Sequence, residues 1–205
     1  MIVHPYLLKR FSVLCFLTFS FTRVNAQRDS LIYSMDQQRI QNQHSGMLVL
    51  GSWSLINIAT GVILKPQSQG SESYFHQMNA LWNSVNLGIA AIGFMNSIKE
   101  IGVSDPMTAI EKQIKLEKSL LFNTGLDIAY ITAGAWMLER AKTQSNPNQQ
   151  DQLKGFGKSI IVQGSFLLLF DACFYAISSR NSKDLRRAVS LFYITPNGIG
   201  IQKSF

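Results

Sequence analysis

The sequence predicts an all-α protein: a four-helix transmembrane bundle with a short N-terminal surface helix and a small C-terminal β-hairpin-like tail. Three observations carry this prediction. The 205 residues are 46% hydrophobic and only 15% charged, with a mean hydropathy of +0.08, and the apolar residues are bunched into blocks, as in a membrane protein of one domain. Four of these blocks have about the 20 residues that a helix needs to cross a bilayer. Inside the blocks, polar side chains recur at steps of three and four, so each helix has one polar stripe.

Residues 1–26 have the three parts of a secretory signal peptide. Lys9 and Arg10 form the basic start, an apolar run from Phe11 follows, and Val24, Asn25 and Ala26 precede an expected cut before Gln27. The mature chain is then a single membrane domain over residues 27–205. Of the two cysteines, Cys15 lies in the signal segment and Cys173 in an apolar helix, so no disulfide is expected. Leu14 is too large for the position before a lipidated cysteine. Residues 27–45 are rich in Gln and Arg, with Leu31, Met35 and Gln38 on one weak face, which predicts a short helix along the membrane surface.

The spans are expected near residues 46–64, 75–96, 119–138 and 157–178. The first contains no charge, has Ser54, Asn57 and Gly61 on one face, and closes at Lys65 and Pro66. The second is the most polar: His76, Asn79, Asn83, Asn86, Ala90 and Gly93 form one stripe, with Leu81, Val85, Ile89 and Ile92 elsewhere around the helix. An amide without a partner in hydrocarbon costs several kcal/mol, so this stripe is expected to face the other helices. Ser104, Asp105 and Pro106 mark the next helix start, with Asp105 capping and Pro106 in the first turn. In the third span Asn123, Asp127, Tyr130 and Gly134 share a face, while Gly125, Ala129 and Ala133 form a ladder of small residues suited to close helix packing. Residues 139–154 read as a loop. The fourth span contains Gln163, Gly164 and Asp171 between Lys158 and Arg180, and the tail reads as two short strands about Pro196, Asn197 and Gly198.

The order Phe75-His76-Gln77-Met78-Asn79, then Trp82-Asn83 and Asn86, after a Gly/Ser loop, resembles an uncharacterised family of predicted four-helix membrane proteins from Bacteroidota, a domain of unknown function. The resemblance covers the chain from about Gly46 to the tail. It implies a signal peptide, four spans and no assigned activity.

The residues that can carry chemistry are Asn57, His76, Asn79, Asn83, Asn86, Asn123, Asp127, Tyr130 and Asp171. With antiparallel neighbours and a rise of about 1.5 Å per residue, Asn57, Asn83, Asn86, Asp127 and Asp171 fall within roughly 5 Å of the bilayer midplane. His76 sits at a boundary. No Lys or Arg lies inside any span, so each carboxyl must be protonated, bonded to amides, bound to a cation or in contact with water. Such a layer serves either as hydrogen-bonding glue between helices or as a site for a proton, cation or small polar solute.

Other classes fare worse. A net charge of +7 and a pI near 9.5 are compatible with nucleic acid, but the charges sit between apolar blocks and no basic helix is interleaved with aromatics, so no nucleic acid is expected. His44 and His76 begin successive antiparallel spans and cannot share a metal. HExxH, CxxC, GxSxG and phosphate-loop motifs are missing, so no cofactor, metal or catalytic residue is expected. Trp53, Trp82 and Trp136 read as packing or interfacial anchors. One hairpin cannot close a barrel, and blocks this apolar argue against a secreted soluble bundle. The leading expectation is a small polytopic protein of the bacterial inner membrane, of unassigned role, acting as a structural or interaction subunit. The alternative is a transporter or channel component binding at the Asp/Asn layer. Its partners are the lipid bilayer and a second copy or other membrane subunits. Orientation is read two ways: the signal peptide puts Gln27 outside, whereas the positive-inside rule prefers the reverse.

Overall fold

The computed structural model describes the backbone of residues 5–191, 194–195 and 198–199, and the side chains of residues 26–190. Four long helices account for nearly all of it: α1 (Pro5–Leu64), α2 (Gly70–Lys99), α3 (Pro106–Ala141) and α4 (Pro147–Leu191). Each expected span lies inside one helix. Two helical stretches, Ala26–Gln67 and Pro147–Ser190, are long and apolar enough to cross a membrane. Ile194–Thr195 pairs antiparallel with Gly198–Ile199, but most of the tail expected to form a hairpin lies outside the described residues.

The turns follow from local chemistry. α1 ends where Pro66 enters a 3-10 turn over Lys65–Gln67. Gly70 then opens α2 with φ +57°, a left-handed backbone that glycine adopts without penalty. Between α2 and α3 the Asp105 carboxyl accepts from the backbone N–H of Thr108 at 2.8 Å and from its hydroxyl at 2.6 Å. With Pro106 in the first turn, this is the helix start that the sequence announces.

α4 is the central helix, packed along α3 on one side and α2 on the other, and α2 packs along α1. α2 and α3 do not pack: no pair of their Cα atoms comes within 8 Å. Glycines allow the close approaches. A Cβ on Gly61 would lie 2.6 Å from the carbonyl oxygen of His76, and one on Gly134 would lie 2.7 Å from that of Gly157. The expected ladder of Gly125, Ala129 and Ala133 has no such role. It is exposed, and nothing lies within 4 Å of a Cβ built on Gly125. The α3–α4 approach runs instead through Gly134, Gly157 and Gly164, because Gly134 shares the face on which Asp127 is buried.

Residues 27–45 are not a separate surface helix. They continue α1 without a break, and their inner face is Ile32, Asp36, Arg39 and Ile40, whereas Leu31 and Gln38 are exposed. The reason is that two ionised residues belong to this core. Arg39 donates from Nε to Asp36 Oδ1 at 2.7 Å and from Nη2 to Glu100 Oε1 at 2.6 Å, and Lys112 Nζ stands 3.0 Å from the same Glu100 oxygen. The second Asp36 oxygen accepts from the backbone N–H of Val103 at 3.0 Å. Every charge is paired, the condition under which burial of ions is tolerated. Around this clamp, the polar extensions of α1, α3 and α4 pack on Ile32, Ala109 and Leu185. The α3–α4 seam nearby is locked by Gln113, whose Nε2 donates to the carbonyl and hydroxyl of Ser178, both at 2.7 Å. The loop expected over residues 139–154 is correspondingly short: α3 reaches Ala141 and α4 begins at Pro147.

Burial opposes ionisation of Glu100, but the hydrogen bonds from Arg39 and Lys112 outweigh it and hold its carboxyl below the ordinary value of 4.5. The folded state therefore binds this proton less readily than the unfolded chain, and the clamp's contribution is complete above pH 4.5 and lost as pH falls through the lower folded value. The Tm is expected to drop between about pH 5 and pH 3, and Glu100→Gln is expected to lower the Tm at neutral pH while flattening that acid limb. Differential scanning calorimetry of the two proteins across this range checks it.

Candidate functional site

The polar stripe of α2 turns inward as expected. His76, Asn79, Asn83 and Asn86 are buried, whereas Leu81, Val85, Ile89 and Ile92 are each more than half exposed. Asn57 on α1, Asp127 on α3 and Ser159, Gln163 and Asp171 on α4 are buried as well. The interior is thus polar where the exterior is apolar. These side chains do not form one layer, however. Asn79 and Asn86 are seven residues apart on α2, and Gln163 and Asp171 eight apart on α4, so the polar groups occupy two levels separated by roughly 10–12 Å.

The first level is a closed knot. Asn79 Nδ2 donates to Asn57 Oδ1 at 2.8 Å, and Gln163 Nε2 donates to the Asn79 side-chain oxygen and, at 3.3 Å, to that of Asn57. Ser159 Oγ donates to Asn79 Oδ1 at 3.2 Å, Trp53 Nε1 to Gln163 Oε1 at 2.9 Å, and Asn57 Nδ2 to the Trp53 carbonyl at 2.8 Å. Three helices are joined, and every hydrogen-bonding atom of the Asn79 and Gln163 amides points at a partner or at the others. Trp53 is fixed further by stacking on Phe166, with centroids 3.9 Å apart and planes 5° from parallel. Asn83 hangs on the knot by donating to the Asn79 carbonyl at 2.8 Å.

The second level is open. Between α2 and α3 lies a cavity of about 430 Å³, with Trp82 and Asn86 on one wall, Asn123, Asp127 and Tyr130 on the other, and Asp171 at the back. The Trp82 and Tyr130 rings bridge the two helices edge to face at 4.8 Å. Asp127 and Asp171 are both buried and both line this cavity. Three buried atoms on this cavity have no partner: Trp82 Nε1, Asn86 Nδ2 and Asp127 Oδ2. That count is unusual for one place, since buried polar atoms are nearly always paired.

His76 belongs to neither level. Its ring lies against Phe75, with Glu72 Oε1 3.9 Å from Nε2, and its Nδ1 has no partner. His44 contacts Ser97 Oγ at 3.2 Å, and Ser97 is 21 residues further along α2, so the two histidines stand roughly 31 Å apart. Among the described residues no group of three or more His, Cys, Asp or Glu converges on a point.

Residues 49–172 match the model of a family of unknown function, DUF6992. The chain belongs to the DUF6992 family. No curated protein and no solved structure matches it. The DUF6992 region contains every member of the knot and, of the cavity, Trp82, Asn86, Asn123, Asp127, Tyr130 and Asp171, and leaves out Gln43, Met47 and Phe174 of the cavity lining and the Asp36–Arg39 end of the clamp.

Of the nine candidate residues, the fold gathers Asn86, Asn123, Asp127, Tyr130 and Asp171 at the cavity and Asn57 and Asn79 at the knot. Asn83 is attached to the knot, and His76 stands apart. Sequence reasoning missed Gln163, Ser159 and Trp53 as knot members and Trp82 as a cavity donor. Their spacing was the available signal: Ser159, Gln163 and Leu167 rise along one face of α4 at steps of four, as Trp82 and Asn86 do on α2.

Gln163→Leu removes the centre of the knot and leaves the Trp53 N–H without an acceptor, so a loss of about 2–4 kcal/mol is expected. Thermal unfolding of the purified DUF6992 protein in detergent reads it. A Tm equal to that of the unaltered chain would contradict the account of the knot.

Proposed function

We propose that this DUF6992 protein is a multi-pass membrane protein of the bacterial inner membrane that binds a small molecule in the cavity between α2 and α3. The observation that carries the reading is the inversion of polarity. The main run of exposed large apolar side chains goes from Leu48 to Ile63 on α1, Leu81 to Ile98 on α2, Leu121 to Trp136 on α3 and Val162 to Ile177 on α4. Each run covers 15 to 17 residue steps, about 23–26 Å of helix. Contacts at Leu50, Ala90 and Leu167, and of Gly164 with Asp127 and Ile131, set the runs side by side. A belt of this height around all four helices fits a hydrocarbon core about 30 Å thick, and water is a poor solvent for so large an apolar surface.

Two of the helices pass a simple length and hydropathy test for spanning and two do not. The difference has a physical source. α2 and α3 carry the amides and carboxyls that lower their mean hydropathy, but those side chains point inward, so the lipid-facing surface of each is as apolar as that of its neighbours.

The cavity favours a binding role over a purely structural one. Glue is satisfied by its own partners, as Asn57, Asn79 and Gln163 are at the knot, where Asn83 Oδ1 is the one buried side-chain atom left without a partner. At the second level Trp82, Asn86 and Asp127 carry buried unpartnered atoms and line a space large enough for a small molecule. The expected structural role of the polar residues thus falls to the knot, and the expected proton, cation or solute role to the cavity.

The DUF6992 chain expressed in full is expected to remain in the membrane pellet after washing with alkaline carbonate and to be released by detergent. Recovery in the carbonate supernatant would overturn the reading.

A further inference from the structure

Apart from the cavity between α2 and α3, the bundle has a groove of about 490 Å³ between α1 and α4. The two helices run antiparallel here, with Trp53 stacked on Phe166 and Gly46 against the Phe174 ring, which a Cβ at Gly46 would approach to 3.0 Å. Ser45 and Val49 stand on one wall and Leu169, Cys173 and Ile177 on the other. All five are exposed, so the groove opens sideways onto the apolar belt. The polar side chains of the lining, Asn42 and Ser45, stand together at the end where the belt gives way to the polar extensions of α1 and α4.

Shape narrows the choice of occupant. From Phe166 to Ile177 the groove follows α4 for about 16 Å. Spread over that length, 490 Å³ is a cross-section of roughly 30 Å², whereas a helix about 10 Å across needs roughly 80 Å². The groove is too slender for a helix of a second copy and suits a hydrocarbon chain. Charge selects the headgroup. Arg180 comes one turn after Ile177 on the same face of α4, followed by Lys183 and Arg186, and all three are exposed. None of them is in an ion pair among the described residues, and Asp184 is taken by Arg187 at 3.6 Å. The facing stretch of α1, residues 37–49, contains no Asp or Glu. A phosphate at this end would therefore meet a guanidinium, whose paired N–H donors match its oxygens, and no opposing carboxylate.

We propose that this groove binds an anionic phospholipid, with one acyl chain along Val49, Leu169 and Cys173 and the phosphate at Arg180, beside Asn42 and Ser45. A zwitterionic headgroup brings its own cation and leaves the basic end of α4 without a counter-charge. The inference rests on the membrane part of the reading above and is independent of the α2–α3 cavity. Failure of the membrane reading shows separately, as recovery in the carbonate supernatant.

The full-length protein, purified in detergent and stripped of lipid, is titrated with dioleoylphosphatidylglycerol or dioleoylphosphatidylcholine, which share their chains, and bound lipid is counted by native mass spectrometry. Phosphatidylglycerol is expected to bind about fivefold more tightly, the scale of one basic residue at an anionic surface. Arg180→Gln is expected to bring the two lipids within about twofold of each other by weakening phosphatidylglycerol alone. Cys173→Trp fills the groove from α4 and Val49→Trp from α1, so each is expected to weaken phosphatidylglycerol binding by about tenfold. Ile128→Trp, in the belt on α3, is expected to leave it unchanged. With two filling variants the test stays decisive if one of them does not fold. Equal affinities of the unaltered protein for the two lipids would overturn the proposal. So would a preference for phosphatidylglycerol that survives Arg180→Gln or groove filling, because the lipid would then be held elsewhere.

Discussion

The hydrogen bonds among Asn57, Asn79 and Gln163 fix the rest of this structure. They join α1, α2 and α4 side chain to side chain, and in a medium without water each such bond contributes about 0.5–2 kcal/mol. Once the amides face inward, helical geometry leaves no choice about the other side: Leu81, Val85, Ile89 and Ile92 must point out. The largest apolar surface of such a chain is the one exposed, and this supports the proposed place in a membrane. Knot and belt are therefore one constraint seen from two sides.

α3 is the helix that the knot does not hold. It is attached to α4 alone along most of its length, through the Gly134–Gly157 approach and the Gln113–Ser178 bonds. At its N-terminal end, Glu100 and Lys112 tie it to Arg39 of α1. Pinned to α4 and clamped at one end, α3 stands away from α2 and leaves the space that Trp82 and Tyr130 bridge. The cavity is a consequence of where the chain spends its strong polar contacts. The carboxyls of Asp127 and Asp171 fall at the open level, beside the cavity, and the amides of Asn57, Asn79 and Gln163 at the closed level, where they have partners on three helices.

Much of this was legible in the sequence. Blocks of about 20 apolar residues gave the four helices, and the spacing of His76, Asn79, Asn83 and Asn86 gave the inward face of α2, because a helix puts residues three and four apart on one side whatever it packs against. The cap at Asp105 was readable because it is local. Features that depend on a distant partner were not. Asp36 and Arg39 lay within a segment read as a surface helix, and their burial depends on Glu100, Lys112 and the Val103 N–H, which only the fold brings beside them. Gln163 and Trp82 were passed over because a glutamine or a tryptophan announces nothing without its neighbour. The single layer divided into two levels because interhelical register, which spacing within one helix does not set, places Asn79 opposite Gln163 and Asn86 beside the Asp127–Asp171 pair.

The central claim is that the outer faces of these helices are in contact with hydrocarbon while the extensions of α1, α3 and α4 are in water. Nitroxide labels measure this directly. Labels at Ile56, Val85, Phe122 and Leu169, all more than 60% exposed, should be relaxed by molecular oxygen and shielded from a water-soluble nickel chelate in reconstituted bilayers. Labels at Lys115 and Lys183, exposed on the extensions, should show the reverse. Equal access of the nickel chelate to all six positions would contradict the account.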